Sequence, residues 1–215
     1  MVVGMDYFTP HLLPGLQPLT KEPTQTRLAS HHLALNALFE GGLPFGSLIE
    51  WGAPPGRGAR ELLATFISNA TRTSAEHRPL WCLWVEGSKD LKFYPPGWRA
   101  RGVNLNRLCV IASSAPVTQL KPIFSDSLFK LIVLDAPTSL SEGDLVFLAQ
   151  KARAHQRLIL LLRPYLLSNQ RGNVWAKIRV NTWQDHHNID LFHVRAIRGL
   201  HQASKTIIFN PIFHS

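Results

Sequence analysis

The chain contains 215 residues, 45% of them hydrophobic, which is enough apolar material for one domain with a substantial core. Its net charge is +9, with 23 Lys and Arg against 14 Asp and Glu, and such a balance favours acidic partners such as nucleic acid. The basic residues are spread along the chain rather than gathered in one tract, so a generally solvated basic surface is an equal alternative.

Several classes of protein are excluded by the same sequence. No apolar run approaches the roughly 18 residues of a membrane span, and the N-terminus lacks the pattern of a signal peptide. Cys82 and Cys109 lie in apolar runs and are interpreted as reduced core thiols. The ten histidines do not show the spacing of a metal site. We therefore expect a cytoplasmic protein with no membrane contact, metal or cofactor.

The N-terminal part of the chain differs from the rest. Residues 1–25 contain four prolines and little periodicity, which predicts an extended N-terminal arm. Its apolar residues Leu12, Leu13 and Leu16 are candidate anchors, because an extended segment can add to the sheet edge of a partner. Residues 26–215 are predicted to form one domain.

A glycine-rich turn lies between a predicted strand at 47–51 and a predicted helix at 59–71. The motif G-x-x-x-x-G-K-[ST] binds nucleotide phosphates in this context, and the turn retains Gly52, Gly56 and Gly58. The turn can be aligned with the motif in two registers. With Gly52 as the first glycine, the second-glycine, lysine and hydroxyl positions fall on Arg57 and the two residues after it. With Gly58 as the last glycine, the lysine and hydroxyl positions fall on Ala59 and Arg60.

Neither register of this turn supplies an ammonium for the β- and γ-phosphates or a hydroxyl for Mg²⁺, on which phosphoryl transfer depends. We therefore interpret it as a degenerate phosphate-binding loop and do not expect an enzyme. An ordinary Gly/Pro turn is the alternative interpretation.

Further apolar runs predict a sheet. The runs at 80–85, 108–112, 129–134 and 158–162 are typical of strands buried on both faces of a parallel sheet. Predicted helices alternate with them, including an irregular one at 117–128 and one that starts with a capping box at Ser141 and Asp144. After residue 173, three segments alternate polar and apolar residues, which predicts an antiparallel meander. The predicted fold class is mixed α/β, with a parallel centre and an antiparallel C-terminal edge.

Several of these segments resemble the recombinase RecA. The run LALNALFEGGLPFGSLIE at 33–50 is similar to the entry into the RecA core. Glu86 follows the next strand as the RecA catalytic glutamate does, and FKLIVLD at 129–135 resembles a Walker B strand that ends in Asp135. The resemblance covers about residues 24–210, and it implies a RecA-like P-loop core with a central, largely parallel sheet.

Two features are closer to the shortened, SOS-associated relatives of RecA, the ImuA and SulA-like proteins. They are the sequence YPPG at 94–97 ahead of Gly102, and Arg163-Pro164 at the end of the fifth strand. ImuA proteins are the closer match, because the N-terminal half and the degenerate loop are retained. The resemblance implies an accessory role in damage-induced, error-prone translesion DNA synthesis. The implied partners are an ImuB-like Y-family polymerase homologue, a DnaE-type polymerase and RecA.

The candidate site residues have alternative interpretations. Glu86 is either the counterpart of the catalytic glutamate or half of a surface ion pair with Lys89. Asp135 is either a Walker B carboxylate without its Ser/Thr partner or a cap on local backbone amides in an Asp-Ala-Pro turn. The resemblance places the glutamine that couples nucleotide to DNA near Arg163-Pro164, so that switch is not expected here.

Both segments that would correspond to the DNA-binding loops of RecA are short. Any affinity for DNA should therefore be weak, independent of sequence and dependent on salt. Arg171, Lys177 and Arg179 are the candidate phosphate contacts, because they lie near the second shortened loop.

Three functional hypotheses follow. The first is a non-catalytic RecA-like adaptor that binds polymerase partners or RecA. The second is a weak NTP-binding ATPase in which Arg57 or Arg60 replaces the lysine. The third is a SulA-like inhibitor of cell division, although such an inhibitor would not need the P-loop strand and helix.

Overall fold

The computed structural model describes residues 26–73, 78–87, 93–170, 172–202 and 204–208. The predicted arm at 1–25 lies outside these residues. So do Lys89 and Arg171, and the interpretations that depend on them stay predictions.

Strands and helices alternate through most of the described chain. The strands are β1 (Arg27–Leu28), β2 (Leu43–Pro44), β3 (Ser47–Gly52), β4 (Trp81–Glu86), β5 (Leu108–Ala112), β6 (Phe129–Asp135), β7 (Leu158–Arg163), β8 (Ile178–Gln184), β9 (Leu191–Arg198) and β10 (Ser204–Ile208). The helices are α1 (Leu33–Leu38), α2 (Ala59–Thr71), α3 (Pro95–Ala100), α4 (Pro116–Gln119), α5 (Lys121–Ser125) and α6 (Glu142–Ala154), with a 3₁₀ turn at Leu105–Arg107.

Eight strands form one sheet in the order β10-β9-β8-β3-β7-β6-β4-β5. The six strands from β8 to β5 in this order are parallel to one another, whereas β8, β9 and β10 pair antiparallel. Strands β1 and β2 form a separate antiparallel pair. The predicted mixed α/β class, with a largely parallel centre and antiparallel C-terminal strands, is confirmed.

The sheet separates two hydrophobic cores, because neighbouring residues of a strand face opposite sides. Helix α2 covers one face, where the ring of Phe39 lies against both Phe66 and Trp51. Residues of α1 and α3 belong to the same core. Helices α4, α5 and α6 cover the other face, where Phe124 and Leu148 pack among residues of the central strands. The predicted capping box at the start of α6 is present.

The structure differs from the predictions at two elements. The run at 108–112 was predicted to be buried on both faces, but β5 is the edge of the sheet and Val110 is 37% exposed. The predicted helix at 117–128 is divided into the short helices α4 and α5, each with a proline in its first turn. Proline is tolerated there because it lacks only an N–H that would be unpaired. In the part of the chain that is described, no helix is both long and apolar enough to cross a bilayer.

Candidate functional site

The glycine-rich turn lies at the carboxyl end of β3, the edge of the sheet where open α/β folds bind ligands. Helix α2 begins at Ala59, and Gly58 is its N-cap residue with a left-handed backbone. A phosphate-binding loop delivers its last glycine to the start of the helix. This geometry favours the register in which Ala59 and Arg60 take the lysine and hydroxyl positions.

The three glycines of the turn have different structural roles. Gly58 has a φ of +92°, and a Cβ added there would clash with the ring of Phe192 on β9. Gly56 has a φ of +71°, but a Cβ added there would have no neighbour within 4 Å. At Gly52 an added Cβ would lie 2.5 Å from the Asn181 side chain. The turn is therefore packed closely against the meander at two of the three glycines.

Arg60, the second residue of α2, forms an ion pair with Asp135 at the end of β6. Its Nε and Nη2 atoms both donate to Asp135 Oδ2, at 2.8 and 2.6 Å. The carboxylate is 7% exposed and the guanidinium 29% exposed. Strand β7 separates β3 from β6, and Arg60, in the first turn of α2, reaches the carboxylate at the end of β6. A side-chain cation of the protein itself thus contacts the carboxylate that the resemblance assigns to Mg²⁺.

The pKa of Asp135 is raised above its ordinary value. Burial is the largest cause, because it disfavours the charged carboxylate. Arg60 opposes this effect by its charge and its hydrogen bonds, whereas the nearby charge of Glu86 adds to it. Arg60 therefore compensates the burial of Asp135 only in part.

Five of the predicted residues surround one cavity of about 80 Å³, which is open to solvent. They are Gly56, Arg57, Gly58, Arg60 and Asp135. Gly52 and Glu86 are not among the residues that line it. Arg57 also faces the meander, where its Nη1 atom lies 3.4 Å from Nδ1 of His186.

Glu86 lies beside the site rather than in it. It ends β4 and pairs in register with Asp135 on β6, and its Oε1 atom accepts a hydrogen bond from the Phe93 backbone N–H. This bond joins the end of β4 to Phe93.

A buried ionic cluster around Glu50 was not predicted from the sequence. Glu50 is fully buried, and its carboxylate accepts from Nε of Arg163 at 2.8 Å and Nε of Arg179 at 3.3 Å. It also accepts from the Asn173 backbone N–H at 2.6 Å. The sequence did contain a signal for this cluster, a carboxylate inside the apolar run SLIEW. A charge in a buried strand requires partners, so this carboxylate predicts nearby cations.

This cluster corrects one predicted DNA contact. Arg179 is only 4% exposed and is paired with Glu50, so its guanidinium is not presented to a phosphate at the surface. Lys177 is exposed. Arg163, at the position where the resemblance would place the coupling glutamine, is also paired with Glu50.

The described residues show little that could hold a metal. Among them, no group of three or more His, Cys, Asp or Glu side chains is arranged to bind an ion. Cys82 and Cys109 are free thiols, and burial raises the pKa of Cys82 well above its ordinary value.

No protein-family model matches the chain, and no curated protein matches it. The likeness to RecA and to ImuA proteins therefore rests on the sequence motifs described above.

Proposed function

We propose that the chain is a non-catalytic RecA-like accessory protein of damage-induced translesion DNA synthesis. It acts by binding an ImuB-like Y-family polymerase homologue, a DnaE-type polymerase or RecA. The observation that carries the non-catalytic part is the Arg60–Asp135 ion pair in a loop without the P-loop lysine and hydroxyl. The role in DNA synthesis rests on the sequence resemblance.

The ion pair opposes magnesium nucleotide binding by competition. A Mg²⁺ ion at Asp135 would have to displace Arg60 from a carboxylate that is 7% exposed. Hydrogen bonds to charged groups contribute about 1.5–3 kcal/mol each, and Arg60 makes two of them to this carboxylate. The displaced guanidinium would then lie beside the incoming metal, and two cations repel each other. The site therefore favours its own ion pair over a metal.

The runner-up is a weak NTP-binding protein. Two glycines with positive φ precede α2, and the N-terminal amides of a helix attract anions. Arg57 and Arg60 are the cations available to replace the lysine. If Arg60 is the replacement, it must leave Asp135, whereas Arg57 is not bound to that carboxylate. In either case this alternative predicts saturable binding of ATP, which the adaptor does not require. The third hypothesis, a SulA-like inhibitor of cell division, predicts that the chain slows the polymerisation of the cytoskeletal GTPase FtsZ.

A genetic experiment tests the proposed role. The gene is deleted in the source organism, and the frequency of mutations after DNA damage is measured with plasmid-borne variants. We expect the deletion to lower damage-induced mutagenesis and the unaltered chain to restore it. Asp135→Asn should restore it equally, because this nearly isosteric change removes the charge that a magnesium site needs but leaves an adaptor surface intact.

Two results would overturn the proposal. Mutagenesis unaffected by the deletion would refute the role in translesion synthesis. Failure of Asp135→Asn at an undiminished cellular level of folded protein would instead indicate that the carboxylate has a catalytic role.

Direct binding assays identify the partner. The purified chain is mixed in turn with the ImuB-like protein, the DnaE-type polymerase and RecA, and co-elution is measured by size-exclusion chromatography. We expect a complex with at least one of them, with or without ATP. Removal of residues 1–20 should weaken that complex if the arm docks on the partner; an unchanged complex would refute the arm hypothesis alone, and no complex with any of the three would refute the adaptor.

A further inference from the structure

A second surface lies at the opposite end of the sheet from the glycine-rich turn, where β3 begins. Trp175 is 41% exposed and Val174 is 65% exposed there. They line an open cavity of about 420 Å³ together with Gly46 and Ser47. A large exposed indole beside an exposed valine is unusual for a solvated surface, because tryptophan is highly buried on average.

The polar part of this surface is basic. Arg153 comes from the end of α6, Lys177 precedes β8 and Arg198 ends β9, and all three are exposed. None of the described residues that line the cavity is an aspartate or a glutamate. The carboxylate of Asp144 is on the same helix as Arg153, but it lies roughly 13 Å away along the helix axis. Three separate elements therefore place cations around one aromatic ring.

The segment that carries the indole is held by the buried Glu50 cluster. The Trp175 backbone N–H donates to Asn173 Oδ1 at 2.8 Å, and the Asn173 backbone N–H donates to Glu50 at 2.6 Å. Two residues after Trp175 in the chain, the Lys177 backbone N–H donates to the Leu48 carbonyl at 2.8 Å.

Arg198 completes this arrangement, because its Nη1 atom donates to the Val174 carbonyl at 3.0 Å. The backbone at the indole is thus fixed before any ligand binds, and less conformational entropy is lost on binding.

We propose that this surface binds single-stranded nucleic acid, with a base stacked on Trp175 and backbone phosphates on Arg153, Lys177 and Arg198. Stacking on an indole requires a free base face, and in a duplex the neighbouring base pairs cover the faces of each base. A basic groove with an aromatic platform is typical of single-strand binding. The proposal goes beyond the adaptor function, which requires no contact with nucleic acid. Of these residues only Lys177 was a candidate from the sequence, because the others are distant from one another along the chain.

Fluorescence anisotropy with a labelled 20-nucleotide oligo-dT, the same length of oligo-U and a 20-base-pair duplex tests this proposal. We expect the single strands to bind more tightly than the duplex at low salt. Trp175→Ala should weaken single-strand binding roughly 5- to 150-fold, which corresponds to the loss of one stacked base. Trp175→Phe should retain part of the affinity, because a smaller ring still stacks. The ratio of oligo-dT to oligo-U affinity shows which nucleic acid is preferred.

The proposed phosphate contacts are tested by the salt dependence of binding, with a control variant of equal charge. Lys177→Ala should reduce the slope of log K against log salt by about 0.7, the loss of one phosphate contact on a single strand. Arg99→Ala removes an equal charge from an exposed position on α3, a helix of the opposite face, and should leave the slope unchanged.

Equal binding of duplex and single strand would overturn the proposal, as would unchanged affinity of Trp175→Ala or equal effects of the Lys177 and Arg99 variants. Absence of nucleic-acid binding would overturn it as well. None of these outcomes bears on mutagenesis or on the polymerase complexes.

Discussion

Asp135 is a largely buried carboxylate that forms an ion pair with Arg60. Its pKa is raised chiefly by burial, although Arg60 donates two hydrogen bonds to one of its oxygens. A side chain with a raised pKa stabilises the fold fully only below its unfolded-state pKa, and this contribution is lost as the pH rises through the folded-state value. At neutral pH, Asp135 therefore contributes less to stability than it does in acid.

Replacement of Asp135 by asparagine should expose this dependence. Relative to Asp135→Asn, the unaltered protein should lose stability as the pH rises from about 4, the ordinary carboxyl value, through the raised pKa of Asp135. Above that pKa the difference should remain constant. Urea unfolding at a series of pH values measures it, and a difference that grows in favour of the unaltered protein with rising pH would contradict the prediction.

Arg60→Met provides the matched variant, because it keeps an apolar stem of similar length but removes the charge. Loss of the compensating cation should raise the pKa of Asp135 further. Titration of the carboxyl carbon by NMR measures the pKa directly. An unchanged value would show that the ion pair does not form in solution.

At the scale of the element, the turn before α2 is shaped by glycines that face different surroundings. Gly58 and Gly56 both have positive φ, but only a side chain at Gly58 would meet the ring of Phe192. Gly56→Ala should therefore cost about 1–2 kcal/mol of unfolding free energy, from the left-handed backbone alone.

Gly58→Ala should cost about 1–3 kcal/mol more than Gly56→Ala, because overpacking adds to the backbone strain. Thermal and urea unfolding of the two variants gives the comparison. Addition of Phe192→Leu to Gly58→Ala should recover part of the extra loss, and equal losses for both glycine variants would show that the turn does not pack on the meander.

The elements also show which features the sequence made predictable. Continuous apolar runs predicted β4, β6 and β7 and the face of α2, because burial on a sheet leaves a local pattern. The position of β5 at the sheet edge was missed, since its composition matches that of a central strand and strand order depends on long-range pairing. At the candidate site, the glycines and Asp135 were found from local motifs, whereas the partnership of Arg60 with Asp135 spans 75 positions and leaves no local signal.

At the scale of the whole molecule, Glu50 links β3 to its two parallel neighbours, β7 and β8, and β8 is the strand on which the antiparallel β9 pairs. Its carboxylate on β3 binds Arg163 at the end of β7 and Arg179 on β8. It also holds Asn173 in the connection between these strands. The cluster thus fixes both the meander and the Trp175 surface to the central strand.

Glu50→Gln should destabilise the protein by about 3–5 kcal/mol, because it leaves the buried guanidinium of Arg179 and the partly buried guanidinium of Arg163 without a counter-charge. Glu61→Gln is the control, since Glu61 is 39% exposed and lies 3.9 Å from Arg101. An exposed pair of this kind contributes about 0–1 kcal/mol. Urea unfolding at neutral pH compares the two, and a similar small effect of both would contradict a buried ionic cluster.

The proposed lack of catalysis depends on the Arg60–Asp135 ion pair beside the glycine-rich turn, which would compete with a magnesium nucleotide for the carboxylate. Isothermal titration of the whole chain with ATP and Mg²⁺ tests this competition. We expect no saturable heat of magnesium-dependent binding and no hydrolysis. Tight binding of magnesium ATP, with hydrolysis that Asp135→Ala abolishes, would contradict it.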